Sequence, residues 1–174
     1  MQPRTRSAVT GLVRGKHDPA VTADLIARLA ANERIRERVA LVVAHPDDET
    51  VGVGSRLHLF DDLTLIHVTD GTPDGIGFAR RAGFPDNAAY AAARRAELEA
   101  ALVALGAAPR RRSAYGLGDQ RAHEHLPAPV AGLASNIAGN AAGVVTHAYE
   151  HGHPDHDTAA LAVSRAQRLA LRHR

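Results

Sequence analysis

The chain has 174 residues and a formal net charge of +2 at neutral pH; this length suits one compact domain, and the scattered basic residues give no footprint for nucleic acid. It contains no cysteine, which excludes disulfides, zinc–thiolate sites and a cysteine nucleophile. No apolar run approaches the roughly 18 residues that span a bilayer and no signal peptide is evident, so we expect a cytoplasmic protein without a membrane span.

The first part of the chain predicts a helix, a strand and a second helix. Residues 1–18 show no periodicity and are predicted to be a mobile basic arm. Apolar side chains in residues 21–34 fall on one face of a helix. Residues 39–44 are a continuous apolar run, typical of a strand buried on both faces of a parallel sheet. Pro46 and the acids after it suit the first turn of a helix that extends to about residue 60.

The middle of the chain continues this alternation. A second strand is predicted at residues 63–69, followed by a long loop at 71–85 that is rich in glycine and proline. Residues 87–105 repeat leucine at helical spacing, and Gly106 ends that helix. A short third strand is predicted at residues 113–116.

The last part predicts a helix at residues 129–138, a fourth strand at 143–147 and a final helix from Pro154 almost to the end. Strands that alternate with helices indicate an α/β fold with a mostly parallel sheet. No repeat or linker divides residues 19–174, so we expect a single domain.

Two similar motifs follow the first and fourth strands. His45-Pro46-Asp47-Asp48 comes directly after the first strand, and His153-Pro154-Asp155-His156 follows the fourth. Each motif places a histidine and a second ligand-type residue three positions apart where the chain enters a helix. Open α/β sheets bind ligands at the carboxyl ends of strands, where the strand order reverses. If both motifs form one site, their strands are neighbours, which predicts the strand order 3-2-1-4 with right-handed crossovers.

The residue types in the two motifs favour metal chemistry. Alone, either motif would also suit helix-dipole acids and an ordinary turn. Together they offer two imidazoles and a carboxylate, a frequent catalytic zinc set, and a spare carboxylate as base. The spacing does not decide whether Asp47 or Asp48 is the ligand, or whether His153 or His156 is. Asp155 could orient one of these two imidazoles.

The two motifs, Ala44–Glu49 and Gly152–His156, resemble those of the LmbE-like, or PIG-L-type, family of zinc-dependent N-acetylglucosamine deacetylases. The resemblance covers about residues 39–165, including the turn at 69–71 and the helix at 94–98. It implies a Rossmann-like three-layer sandwich with a metal site at the C-terminal strand ends. The implied reaction removes the N-acetyl group from an N-acetylglucosamine-type conjugate, a small molecule.

The resemblance also implies a role for each motif residue. The implied ligands of one Zn²⁺ per chain, with Fe²⁺ as an alternative, are His45, Asp48 and His156. Asp47 matches the general base that activates water and then protonates the departing amine. His153 matches the residue that stabilises the oxyanion, and Asp155 matches the acid that keeps this imidazole oriented and protonated.

Four further residues are candidate substrate contacts because they follow strands or lie in loops near the motifs: Asp70, Arg80, Asp119 and His151. For Asp70 a simple turn is an equal alternative, and for Arg80 it is solvated charge. Relatives generally continue beyond the last predicted helix, so we expect a domain shortened at its C-terminus, with homo-oligomer contacts as one way to complete the site.

Three other functions compete with the deacetylase. An amidase of the same family could act on another N-acyl or thiol conjugate, because the metal motif does not determine which acyl group is accepted. A shortened, inactive paralogue could bind a sugar. A dinucleotide-dependent dehydrogenase is excluded because it requires a glycine-rich turn directly after the first strand, whereas Gly52 and Gly54 come too late.

Overall fold

The structure is a computed structural model that describes residues 19–137, 141–149 and 151–172. The arm predicted for residues 1–18 lies outside the described residues. In chain order the elements are α1 (Pro19–Ala30), β1 (Ile35–Val43), α2 (Asp48–Leu57), β2 (Phe60–Pro73), α3 (Ile76–Arg81), α4 (Asn87–Ala104), β3 (Arg111–Asp119), a 3-10 helix (Ala122–His125), α5 (Pro127–Ile137), β4 (Gly143–Thr146) and α6 (Pro154–Arg172).

The four strands form one parallel sheet in the order β3-β2-β1-β4. Val39 of β1 pairs with Leu63 of β2 on one side and with Gly143 of β4 on the other. The predicted strand order is therefore confirmed. Because β1 and β4 are neighbours and parallel, the segments that follow them emerge side by side at one edge of the sheet.

The apolar run of β1 is buried on both faces, as predicted. Leu41 belongs to a core cluster with residues of α1, α2 and α4, including Leu25, Leu57 and Leu102. Val42, on the opposite face, belongs to a second cluster with α5 and α6. These two cores make a three-layer sandwich, so the predicted fold class is confirmed.

The first helix is shorter than the sequence predicts. In the structure α1 ends at Ala30, and Asn32 adopts a left-handed conformation with φ 61°. The Asn32 and Glu33 amides then donate to the Leu29 and Arg28 carbonyls, which closes the helix C-terminus. Residues from Ile35 onward join β1 instead.

The predicted loop at 71–85 was also wrong in part, because β2 continues to Pro73 and α3 occupies residues 76–81. This six-residue helix packs on α4, where the Phe78 and Tyr90 ring centroids are 5.5 Å apart. The helix α4 agrees closely with its prediction, and its N-cap Asp86 accepts a hydrogen bond from the Ala89 amide. No helix within the described ranges is long and apolar enough to cross a membrane.

Candidate metal centre

Asp48 is the centre of a histidine cluster at the ends of β1 and β4. Its Oδ1 lies 3.3 Å from His156 Nε2, and its Oδ2 lies 3.3 Å from both His45 Nδ1 and His147 Nε2. Burial alone would raise the pKa of Asp48, but its contacts with these imidazoles outweigh burial and hold the pKa far below its ordinary value. The carboxylate is therefore an anion that three imidazoles approach at once.

The His45 ring is enclosed by carboxylates on both sides. Its Nδ1 faces Asp48, while its Nε2 lies 3.0 Å from Asp119 Oδ1 and 3.1 Å from Asp155 Oδ2. Burial, the largest effect, lowers the pKa of His45, but the contacts with Asp155 and Asp48 outweigh it and raise the pKa to about 10. The neighbouring carboxylates therefore favour the protonated form of His45.

Asp155 is fully buried in the first turn of α6. Its Oδ2 accepts the Gln120 amide at 2.5 Å and its Oδ1 accepts the Ala122 amide at 3.1 Å. Burial raises the pKa of Asp155, but His45 and the two amides outweigh that effect and lower it. Asp155 thus ties the turn after β3 to the histidine that follows β1.

His153 lies beside this cluster and is partly exposed, with its ring centroid 4.8 Å from that of His45 and 4.9 Å from that of His156. Its Nδ1 accepts the backbone amide of Asp155 at 3.2 Å, which places the ring proton on Nε2. Burial and the neighbouring histidines lower the pKa of His153. The ring is therefore a neutral N–H donor at neutral pH.

Asp47 differs from its neighbour Asp48 because its side chain is 53% exposed. Its backbone has φ 155° and ψ −25°, a region that favours glycine. The carboxylate accepts a hydrogen bond from Arg94 Nη2 at 2.8 Å, and the same guanidinium nitrogen donates to the Pro46 carbonyl at 2.5 Å. Asp47 is thus held at the surface of the site, where a substrate can reach it.

A cavity of about 370 Å³ opens beside these residues. Its polar wall includes His45, Asp47, Asp48, Asp119, His153 and His156. Phe78, Tyr90 and Arg94 also line it. The predicted metal and catalytic residues are therefore brought to one cavity, except that Asp155 lies buried behind it.

Of the four candidate substrate contacts, only Asp119 lines this cavity among the described residues. Asp70 accepts the Thr72 amide at 2.9 Å in a local turn. Arg80 lies in the last turn of α3. His151 is exposed with φ 59°, and its amide donates to Asp157.

The donor atoms suit a metal ion. One group of nitrogen and oxygen atoms within 4.8 Å of one another comes from Asp48, His147 and His156, and another comes from His45, His153 and His156. The predicted set of His45, Asp48 and His156 is divided between these two groups, which share His156. Imidazole nitrogens with a carboxylate are typical zinc ligands, so the residues present fit the predicted cation.

Sequence reasoning missed several residues of this site. His147 belongs to a group of four histidines within ten residues, which was a usable signal. It was predicted to be the last residue of the fourth strand, whereas β4 ends at Thr146 and His147 follows it. Gln120 and the aromatic pair Phe78 and Tyr90 carry no local signal, because their places depend on the turn after β3 and on the packing of α3 against α4.

Comparison with known families agrees with this geometry. A family model described as "PIG-L: GlcNAc-PI de-N-acetylase" matches residues 40–167. The chain belongs to the PIG-L family. The matched span of this PIG-L protein begins inside β1 and contains the other three strands of the sheet and both histidine motifs.

Among solved structures, the chain is similar to an N,N'-diacetylchitobiose deacetylase from Pyrococcus horikoshii that was solved with its inhibitor MPG. The two are 16% identical with a TM-score of 0.50, over 78% of this chain and 54% of that chain. The chain thus spans about half the length of that deacetylase, and the likeness is one of fold. No curated protein matches the sequence.

Proposed function

We propose that this PIG-L protein is a metal-dependent hydrolase that removes the N-acetyl group from an N-acetylglucosamine-type conjugate. Membership of the PIG-L family supports the class of reaction. The observation that most directly supports metal dependence is the 3.3 Å distance between Asp48 Oδ1 and His156 Nε2, because it brings a residue of each histidine motif to one point.

The residues that would hold one zinc ion, or ferrous iron, are His45, Asp48 and His156. A bound zinc ion would polarise the amide carbonyl and lower the pKa of a water molecule toward ~7. The ligand carboxylate of Asp48 is charged already, because its pKa is lowered by the imidazoles around it. His45 has to lose a proton before it can act as a ligand.

Asp47 would be the general base. Its exposed carboxylate lines the cavity, and Arg94 fixes its direction. It would take the proton of the attacking water and deliver it to the departing amine, so that one carboxylate serves both halves of the reaction.

His153 would stabilise the negative charge that builds on the amide oxygen. The Asp155 backbone amide occupies His153 Nδ1, so the ring proton lies on Nε2, and the ring lines the cavity. A donor aimed at the developing oxyanion is worth ~3–4 kcal/mol of barrier. Asp119, Phe78 and Tyr90, which line the same cavity, would contact the sugar.

The proposal is tested by measuring primary amine release from N-acetylglucosamine conjugates that carry a lipid, an inositol or a thiol precursor. We expect release from at least one conjugate, loss of activity after chelation, and recovery when zinc is added. The variant Asp47→Asn, which removes the proposed base, should keep zinc and lose turnover. If the zinc-loaded protein released no amine from any conjugate, or if Asp47→Asn were as active as the wild type, the proposal would be wrong.

A further inference from the structure

We propose that Gln120 is a specificity-determining residue whose side-chain amide binds a neutral hydroxyl group of the sugar. The proposal rests on the proposed function, since it concerns the substrate that the same cavity takes. Three features of Gln120 support this role: its backbone conformation, the contacts that impose this conformation, and the place of its side chain.

The backbone of Gln120 adopts a conformation that a side chain opposes. Its φ is 66°, in the left-handed region where the Cβ atom of any residue except glycine is crowded. Asparagine, as at Asn32 with φ 61°, is enriched in this region because of its short polar side chain, whereas glutamine is not. Residues that persist in such conformations cluster at functional sites, where the surrounding structure holds them in place.

The contacts that impose this conformation use only the backbone of Gln120. The buried Asp155 carboxylate accepts the Gln120 amide at 2.5 Å and the Ala122 amide at 3.1 Å, so both ends of the turn after β3 are fixed. Arg121, between them, donates to Asp74 at 2.8 Å. A glycine at position 120 would make the same backbone contact with less strain. The turn therefore does not explain why the residue is a glutamine.

The side chain of Gln120 is exposed and lines the cavity. Within the part of the chain that the structure describes, Gln120 makes its hydrogen bond through the backbone amide and none through the side chain. A side-chain amide offers both donors and an acceptor without charge, which matches a hydroxyl group, itself a donor and an acceptor. The preceding residue, Asp119, reaches the predicted metal ligand His45 at 3.0 Å. Gln120 is therefore placed to contact the sugar ring that carries the amide.

The first test compares Gln120→Gly with the matched control Asn32→Gly in the zinc-loaded protein. Both changes relieve a left-handed conformation, so both variants should melt at or above the melting temperature of the wild type. Only Gln120→Gly removes a group from the cavity, and it should raise KM for the preferred conjugate about 3–10-fold. A kcat within about twofold of the wild type is the pattern of lost substrate binding. An unchanged KM in Gln120→Gly, or an equal rise in both variants, would overturn the proposal.

The second test uses conjugates whose sugar lacks one ring hydroxyl each. In the wild type, one of these deoxy conjugates should have a higher KM than the parent conjugate. In Gln120→Gly the same deoxy conjugate and the parent should have equal KM values, because the partner of that hydroxyl is gone. If Gln120→Gly kept the wild-type preference for the hydroxyl at every ring position, the proposal would be wrong.

Failure of the proposed function can be told apart from failure of this inference. A zinc-loaded protein that releases no amine from any conjugate contradicts the proposed function. Calorimetric binding of the same conjugates then tests Gln120 without turnover. The dissociation constant should rise about 3–10-fold in Gln120→Gly and stay unchanged in Asn32→Gly. Equal dissociation constants in the wild type and Gln120→Gly would overturn the inference.

Discussion

Replacing His67 with leucine should destabilise the protein strongly, although His67 lies outside the cavity. Glu49, the last residue of the first histidine motif, is fully buried, and its Oε2 lies 3.1 Å from His67 Nε2. Burial raises the pKa of Glu49, but His67 and Thr50 outweigh burial and hold it below its ordinary value. The carboxylate is therefore charged at neutral pH, and His67→Leu leaves a buried anion without its imidazole.

Leaving a buried group without one hydrogen-bond partner costs about 1–3 kcal/mol, and more when the group is charged. The cost here is about 3 kcal/mol, because the Glu49 carboxylate is charged but keeps hydrogen bonds from the Thr50 hydroxyl and the Asp47 amide. A loss of about 3 kcal/mol lowers the melting temperature of a domain of this size by about 6–12 °C. The assay is urea unfolding followed by circular dichroism at pH 7, with a chelator present so that metal binding does not contribute.

The matched control is the double variant Glu49→Met with His67→Leu, which replaces both members of the pair with apolar side chains. The Asp47 amide then keeps its contact with the His45 carbonyl at 3.0 Å. Such replacements are often neutral, so the double variant should lie within about 1 kcal/mol of the wild type. The reasoning is refuted if His67→Leu costs less than about 1 kcal/mol, or if the double variant loses as much as the single one.

Three further predictions concern the site. His153→Ala should keep zinc but lower kcat about 10²–10³-fold, whereas Asp48→Ala should lose zinc. Turnover and metal content are measured on both variants. Full zinc occupancy with ordinary turnover in both variants would contradict the assigned roles. Burial lowers the pKa of His45, but the surrounding carboxylates outweigh burial and raise this pKa to about 10. Below pH 10 zinc therefore has to displace a proton from His45, so the apparent zinc affinity should rise about tenfold per pH unit between pH 7 and 9. A zinc affinity that did not change with pH in chelator competition would contradict this prediction. Gly71→Ala should destabilise the protein more than the control Gly75→Ala. Both glycines have a positive φ, a conformation that costs other residues about 1–2 kcal/mol. Only at Gly71 would the new methyl group also contact a proline ring, at 3.1 Å. Equal losses in urea unfolding would count against that contact.

The strand order could be predicted because the two histidine motifs have to lie close enough to share one metal site. The sequence places two similar motifs after two strands, and requiring them to share one site makes those strands neighbours. The run at residues 39–44 was equally informative, since a strand with apolar side chains on both faces fits only the middle of a three-layer fold. β1 indeed lies between β2 and β4.

The helix α3 could not be predicted from local signals. Glycines at 75, 77 and 83 are unfavourable to a helix, and only six residues form it. Its formation depends on tertiary contacts, such as those of the Phe78 ring with Tyr90.

The contact between Asp155 and His45 could not be predicted for a similar reason. In sequence Asp155 lies two residues from His153 but 110 from His45. Sequence spacing favours the near histidine, whereas the contact is decided by the turn after β3, whose amides at Gln120 and Ala122 hold the carboxylate.

The central claim is that the two histidine motifs hold one cation between them. Anomalous diffraction at the zinc edge, from crystals of the zinc-loaded protein, tests this most directly. The account predicts one strong peak per chain, about 2.0–2.2 Å from donor atoms of His45, Asp48 and His156. A zinc peak that contacts only one of the two motifs, or no peak at this edge of the sheet, would contradict it.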